Sequence, residues 1–173
     1  MTSTVDTSQA SLKSDELHLL HIYLRDHEAA AVGGLRLFQL CSKANQGTSY
    51  SADLERLTAQ VQASRDALRR ICRQFGVRWS NVGRAITYAG ATLGRVKTNG
   101  RALKYSPLSR VIELEAMSSG VLSQLRLWES LSIVAEFDYR LDETELVHLV
   151  GVAEQKLVDL RRLHDQATHE AFG

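Results

Sequence analysis

Apolar residues recur along most of this chain at intervals of three and four positions, which is the spacing of one buried face of an α-helix. Four segments carry such a stripe, and they predict helix A over 14–45, helix B over 51–76, helix C over 107–135 and helix D over 142–171. We expect the four stripes to share one core. Its predicted members are Leu17, Leu20, Leu24, Ala31, Leu35 and Phe38 in helix A, Leu54, Leu57, Val61, Leu68, Ile71 and Phe75 in helix B, Val111, Leu114, Val121, Leu122, Leu125 and Trp128 in helix C, and Leu146, Leu149, Val150, Ala153, Leu157, Leu160, Leu163 and Ala167 in helix D.

Residues that can begin or end a helix stand at the predicted helix boundaries. We expect the short polar side chains of Ser14 and Ser51 to cap helices A and B, and that of Asp142 to cap helix D. Pro107 marks the start of helix C, because the first turn does not need the amide hydrogen that proline lacks. Gly47 can adopt the left-handed backbone that stops helix A.

Two stretches fall outside the four helices. Residues 1–13 are polar and aperiodic, which predicts a disordered tail, and residues 77–106 form a long crossover that contains a shorter amphipathic helix. Residues 14–173 are therefore predicted to be a single all-α domain, a four-helix bundle of two hairpins. One long crossover between the second and third helices is the ferritin-like arrangement.

Several short motifs carry a family resemblance. They are YLRDHEA at 23–29, GRVKTNGR at 94–101, YSPLS at 105–109, and ELE at 113–115 followed by Trp128. In these motifs the chain resembles an uncharacterised bacterial family of ferritin-like four-helix bundles, over about residues 16–170. The resemblance implies the fold, and it implies no particular activity.

A dinuclear iron or manganese centre would need a carboxylate from each of two helices and a Glu-x-x-His from each of the other two. Glu28 lies on the predicted core face of helix A, whereas Asp66 of helix B points away from its apolar stripe and has no histidine three positions later. The Glu-x-x-His of helix D ends at His148, opposite the core stripe. An intact dinuclear centre is therefore not predicted.

Four residues fall on or beside the predicted core faces and could form an atypical iron or manganese site: His21, Glu28, Glu115 and His164. The competing interpretation is that His21, Glu28 and His164 belong to a satisfied buried polar network with Arg65 or Glu115 as a partner, because buried charges require partners. We favour the network, and so we expect no cofactor.

Composition narrows the function classes further. A length of 173 residues with 44% hydrophobic and 24% charged residues is typical of one soluble domain. There is no apolar run of transmembrane length and no signal-peptide pattern, so we expect a cytoplasmic protein without a membrane span.

Cys41 and Cys72 are not spaced as metal or redox pairs and are expected to be reduced core thiols. No nucleophile elbow or phosphate-binding loop is present, and no catalytic residue is predicted.

Charge is divided unevenly along the chain, although the net charge is only +1. Residues 65–104 contain ten basic residues and one acidic residue, whereas residues 111–173 contain five basic and twelve acidic residues. The basic segment indicates an anionic partner such as nucleic acid, the ribosome or an acidic protein surface. The predicted contact residues are Arg84, Arg95, Lys97, Arg101 and Lys104, with Trp79 and Tyr105 as stacking residues.

The basic segment is also compatible with self-association and with a purely structural role. The opposite charges of residues 65–104 and 111–173 could drive assembly into a homo-oligomer. The arginines of helix B could simply form a solvated face near the end of their helix. Together these observations favour a non-enzymatic bundle protein that acts through binding or self-association, with residues 65–104 as its contact surface. The alternative is a metal-binding ferritin-like oxidoreductase with an atypical Glu/His site.

Overall fold

A computed structural model describes residues 12–77 and 106–173, and every regular element in these two ranges is an α-helix. The helices are α1 (Ser14–Ala44), α2 (Ser51–Gln74), α3 (Pro107–Ala135) and α4 (Glu143–Phe172). The four helices predicted from apolar periodicity are confirmed, with their ends shifted by at most two residues. Residues 1–11 of the predicted tail and residues 78–105 of the predicted crossover lie outside the described residues.

α3 and α4 begin where the sequence predicts, and each has a side-chain cap, of which only the Asp142 cap was predicted. The Ser106 hydroxyl accepts a hydrogen bond from the Ser109 backbone amide at 3.2 Å, and Pro107 occupies the first turn. The Asp142 carboxylate accepts from the Glu145 backbone amide at 3.1 Å. These contacts satisfy amides that have no partner inside the helix.

The predicted caps of α1 and α2 are wrong, because Ser14 and Ser51 are the first residues of their helices rather than the residues before them. At α1 the Glu16 carboxylate accepts from the Lys13 backbone amide at 2.9 Å. At α2 the Ser51 hydroxyl donates along the helix to Glu55. Both serines are therefore displaced from the cap by one position.

Contacts between the helices define the topology. Each of α1 and α4 packs against both α2 and α3. The Tyr23 hydroxyl of early α1 donates to Ser130 of late α3, and Arg70 of late α2 pairs with Glu145 of early α4. The short turn between Ala44 and Ser51 makes α1 antiparallel to α2, and the Tyr23–Ser130 contact makes α1 antiparallel to α3. The helices α2 and α3 therefore run parallel to each other. The chain thus leaves α2 at one end of the bundle and enters α3 at the other.

The core consists of two apolar clusters, one in each half of the bundle, and each receives residues from all four helices. Trp128, which is fully buried, lies in the cluster near the start of α1. Tyr50 lies in the cluster near the start of α3. Leu122, predicted as a core residue, is instead 45% exposed, because the neighbouring Val121 and Leu125 turn inward. None of the described helices has the length and apolar character needed to cross a membrane.

Arg110 links three parts of the chain at the end of the bundle where α3 begins. Its guanidinium lies 4.1 Å from the centre of the Tyr50 ring and donates to Asn45 at 2.8 Å. It also forms an ion pair with Glu170 of late α4 at 2.6 Å. One side chain therefore joins the α1–α2 turn to the first turn of α3 and the last turns of α4.

Candidate functional site

A layer of polar side chains separates the two apolar clusters at mid-bundle. It consists of Glu28 from α1, Ser64 and Arg65 from α2, Gln124 from α3 and Lys156 from α4. All four helices contribute to this mid-bundle polar layer. Buried polar groups are stable only when they are hydrogen-bonded, so the partners within the layer determine what it can do.

An ion pair joins the α1 and α2 sides of the layer. The Arg65 guanidinium donates to Glu28 Oε1 through Nε at 3.2 Å and through an Nη atom at 2.8 Å. The Glu28 side chain is 8% exposed and that of Arg65 is 19% exposed. Arg69, one turn further along α2, brings its Nε to 3.8 Å from the same carboxylate oxygen. Arg65 is one of the two partners that the polar-network interpretation offers, and the structure pairs it with Glu28.

Lys156 forms the opposite side of the layer and is fully buried. Its ammonium donates to Ser64 Oγ at 2.9 Å and to Gln124 Oε1. Among the described residues no carboxylate pairs with it. Burial away from water disfavours the charged form and lowers the pKa of Lys156 to about 8.

The layer as a whole has an excess of positive charge. It contains one carboxylate, Glu28, against the cations of Arg65 and Lys156, and Arg69 lies close by. A dinuclear centre in a bundle is held by several inward carboxylates whose negative charge balances the metal ions. The mid-bundle polar layer has the opposite charge balance, which disfavours a divalent cation at this position.

The structure brings two of the four candidate metal ligands together, Glu115 and His164. His164 Nε2 lies 3.4 Å from Glu115 Oε1 at the α3–α4 seam, where the Glu115 side chain is 60% exposed. Such a pair is a weak surface interaction, since water screens both groups. Glu115 is therefore not an inward-facing carboxylate.

The other two candidate ligands, Glu28 and His21, lie elsewhere. The contact between Tyr23 and Ser130 places Glu28 level with about residue 125 of α3, roughly ten residues or ~15 Å along the axis from Glu115. His21 is half-buried, and its Nε2 has no hydrogen-bond partner among the described residues. In the part of the chain that the structure describes, no three His, Cys, Asp or Glu side chains gather as a metal site would require.

Comparison with protein-family models, with curated proteins and with solved structures yields no match. The family resemblance and the ferritin-like assignment therefore stay predictions.

All seven residues predicted to contact an anionic partner lie outside the described residues. They are Trp79, Arg84, Arg95, Lys97, Arg101, Lys104 and Tyr105. The structure does describe the beginning of the basic segment on α2, where Arg70 pairs with Glu145 at 2.6 Å and Arg73 is exposed. The single acidic residue of the segment, Asp66, accepts hydrogen bonds from Gln62.

Sequence reasoning identified Glu28 and Arg65 but missed Ser64, Gln124 and Lys156. A signal for two of them was present. Lys156 stands three positions after Ala153 and four before Leu160, within the apolar stripe of α4. Ser64 stands in the same way between Val61 and Leu68. Polar residues at such positions are inward-facing by helical geometry alone.

Proposed function

We propose that this chain is a ferritin-like bundle whose centre has been converted from a metal-binding carboxylate set to a cationic polar layer. The parallel arrangement of α2 and α3 supports the ferritin-like part, because a bundle with one long crossover requires it. The Glu28–Arg65 pair and the buried Lys156 support the second part. They occupy the mid-bundle position where carboxylates would hold two metal ions.

The function is non-enzymatic binding of an anionic partner through the basic segment 65–104. The observation that carries this proposal is uncompensated charge. Residues 78–105 contain six basic residues and no Asp or Glu, so no acid within that stretch neutralises them. Within α2 the arginines Arg65 and Arg70 pair with acids on other helices, namely Glu28 on α1 and Glu145 on α4.

Nucleic acid is the partner class that this composition favours most. Lysine and arginine side chains neutralise phosphates, and the aromatic residues among them, Trp79, Tyr88 and Tyr105, can stack on unpaired bases. A ribosomal site offers the same chemistry. Binding of this kind is expected in the cytoplasm, where the buried thiols of Cys41 and Cys72 stay reduced.

The test is binding of a fluorescently labelled single-stranded RNA, followed by anisotropy at several salt concentrations. Charge reversal of Arg95, Lys97 and Arg101 to Glu is expected to weaken binding at least tenfold. It should also reduce the slope of log K against log salt by about 2, since each phosphate contact on a single strand contributes about 0.7. Circular dichroism verifies that the variant keeps its helices.

A matched control has the same change in charge at another surface. Arg25, Arg36 and Lys43 are exposed on α1, and their reversal to Glu is expected to leave both the affinity and the salt slope nearly unchanged. Equal weakening by the two triple variants would mean that only net charge matters. Absence of salt-dependent binding by the wild type would refute nucleic acid as the partner.

Self-association is the second form of the proposal. The acidic residues of 111–173 could meet the basic segment of another copy, giving a homo-oligomer. Sedimentation velocity distinguishes the two forms. An oligomer that dissociates in the Arg95, Lys97 and Arg101 variant, but not in the α1 control, would favour self-association over RNA binding.

A further inference from the structure

A cavity of about 90 Å³ opens between α1 and α3. Its walls are mostly apolar, and small residues on the two helices leave the space open: Ala30 and Gly34 on α1, Ala116 and Gly120 on α3. A Cβ atom built at either glycine would meet no other atom within 4 Å. This volume is several times the roughly 10–15 Å³ that a single water molecule needs. That is space for a small organic molecule.

The inner end of the cavity reaches the mid-bundle polar layer. Val61 and Leu68 of α2 line it, one turn before and one turn after Ser64 and Arg65. Gln124 lines it from α3. The side-chain oxygen of Gln124 accepts the hydrogen bond from Lys156. Gln124 therefore borders the cavity and also accepts the hydrogen bond of a buried ammonium.

The charge of Lys156 is not balanced by the described residues. Its partners there, Ser64 and Gln124, are neutral, and Arg65 is already paired with the only carboxylate of the layer. Residues 78–105 contain no acidic residue, and residues 1–11 contain only Asp6. His27 also lines the cavity, and burial lowers the pKa of its ring, which favours the neutral imidazole. An anion from outside would supply the missing charge.

We propose that this cavity binds a medium-chain monocarboxylic acid as its carboxylate. The apolar tail lies between α1 and α3, and the carboxylate accepts a hydrogen bond from the amide nitrogen of Gln124. The oxygen of the same amide is held by Lys156, so the ammonium polarises Gln124 toward the ligand. This site goes beyond the proposed function, because it uses no residue of 78–105.

Both halves of such a ligand are needed. A neutral apolar molecule would cover the apolar walls but leave the ammonium of Lys156 without a counter-charge. A small inorganic anion would supply the charge but leave the apolar walls uncovered. A monoanion with an apolar tail satisfies both ends of the cavity.

The first experiment compares hexanoate with hexanol at pH 7 by NMR titration of the ¹⁵N-labelled full chain. Hexanoate is expected to bind saturably and at least tenfold more tightly than hexanol. Shortening the acid to butyrate is expected to weaken binding about fourfold per methylene removed. Equal affinities for acid and alcohol, or no saturable binding of hexanoate, would overturn the proposal.

Two variants test the charge. Gln124→Glu places a carboxylate beside Lys156 without changing the shape of the side chain, and it is expected to abolish hexanoate binding by supplying the counter-charge internally. Lys156→Met is expected to make hexanoate bind no more tightly than hexanol. If both variants still bind hexanoate more tightly than hexanol, the ammonium of Lys156 has no role in binding. The dispersion of the NMR spectrum shows whether each variant is folded.

A second pair of variants tests the location. Gly120→Leu fills the cavity with a side chain and is expected to block binding of both probes. Gly151→Leu adds the same side chain on the exposed side of α4 and is expected to leave binding unchanged. Unchanged binding in the Gly120 variant would place the ligand elsewhere. The RNA-binding measurement is independent of this result, so either proposal can fail alone.

Discussion

Replacing Glu28 with Gln tests the central ion pair of the bundle. The substitution keeps the size of the side chain but removes the only negative charge of the mid-bundle polar layer. Breaking a buried pair by removing one partner typically costs about 3–5 kcal/mol, because the other charge remains buried. Arg65 retains 19% exposure and can turn toward water, which reduces the expected cost to about 2–3 kcal/mol.

That cost corresponds to a fall in Tm of about 4–12 °C for a domain of this size. Urea unfolding followed by circular dichroism measures it, and the m-value should not change. Glu154→Gln, on the exposed face of α4, is the matched control and should change stability by less than about 0.5 kcal/mol. The double variant with Met at both Glu28 and Arg65 should recover most of the loss, because apolar residues often replace a buried pair without cost.

The result that would refute this reasoning is a Glu28→Gln protein as stable as the Glu154→Gln control. A complementary measurement is elemental analysis after incubation with Fe(II) and desalting. Because the layer is net cationic, we expect the wild type and the Glu28 variant to have the same metal content. Bound iron in the wild type that disappears in the variant would support the oxidoreductase alternative.

Three further changes have predictable effects. Lys156→Met should be more stable than the wild type at pH 7. Its advantage should shrink as pH rises from about 8 toward 10.5, because in this range the lysine is charged only in the unfolded chain. Melts of an exposed control, Lys43→Met, should show no such trend. Asp138→Asn should cost about 1–2 kcal/mol at pH 7, because the neighbouring guanidinium lowers the pKa of this buried carboxyl from its ordinary 3.8. Melts at decreasing pH should show this cost shrinking only below pH 3.8, as the pH falls through the lowered pKa of the wild-type group. Gly76→Ala should cost about 1 kcal/mol in urea unfolding, since φ is +69°, whereas Gly151→Ala within α4 should gain about 0.5–1 kcal/mol.

The helices were predictable because their stripes are long and regular. Asp142 and Pro107 fix two helix starts by local chemistry alone, and the structure agrees. Leu122 was misplaced because it lies at the edge of its stripe. Adjacent positions on α3 can both be buried, as Leu127 and Trp128 are, so the packing of α3 against its neighbours decides which edge is covered. Local pattern thus predicts the elements, and tertiary contacts settle which edge of each stripe is buried.

The candidate site was only half predictable for a related reason. The inward position of Glu28 follows from helical periodicity, but its partner depends on how far α1 and α2 are shifted along each other. Lys156 resembles an interruption of an apolar stripe in the sequence. Only the neighbouring helices supply the oxygens of Ser64 and Gln124 that allow an ammonium to be buried there. Helix register is a property of the assembled bundle, which no single segment encodes.

The contacts of Arg110 have a consequence for how this protein can be labelled or fused. They place the last turns of α4 beside the α1–α2 turn, so the start of α1 lies at the other end of the bundle. With 31 residues, α1 separates these two points by roughly 45 Å. A direct link between them would need at least about 14 extended residues, so circular permutants require a long linker. The start of α1 and the end of α4 are therefore attachment points at opposite poles of the described bundle.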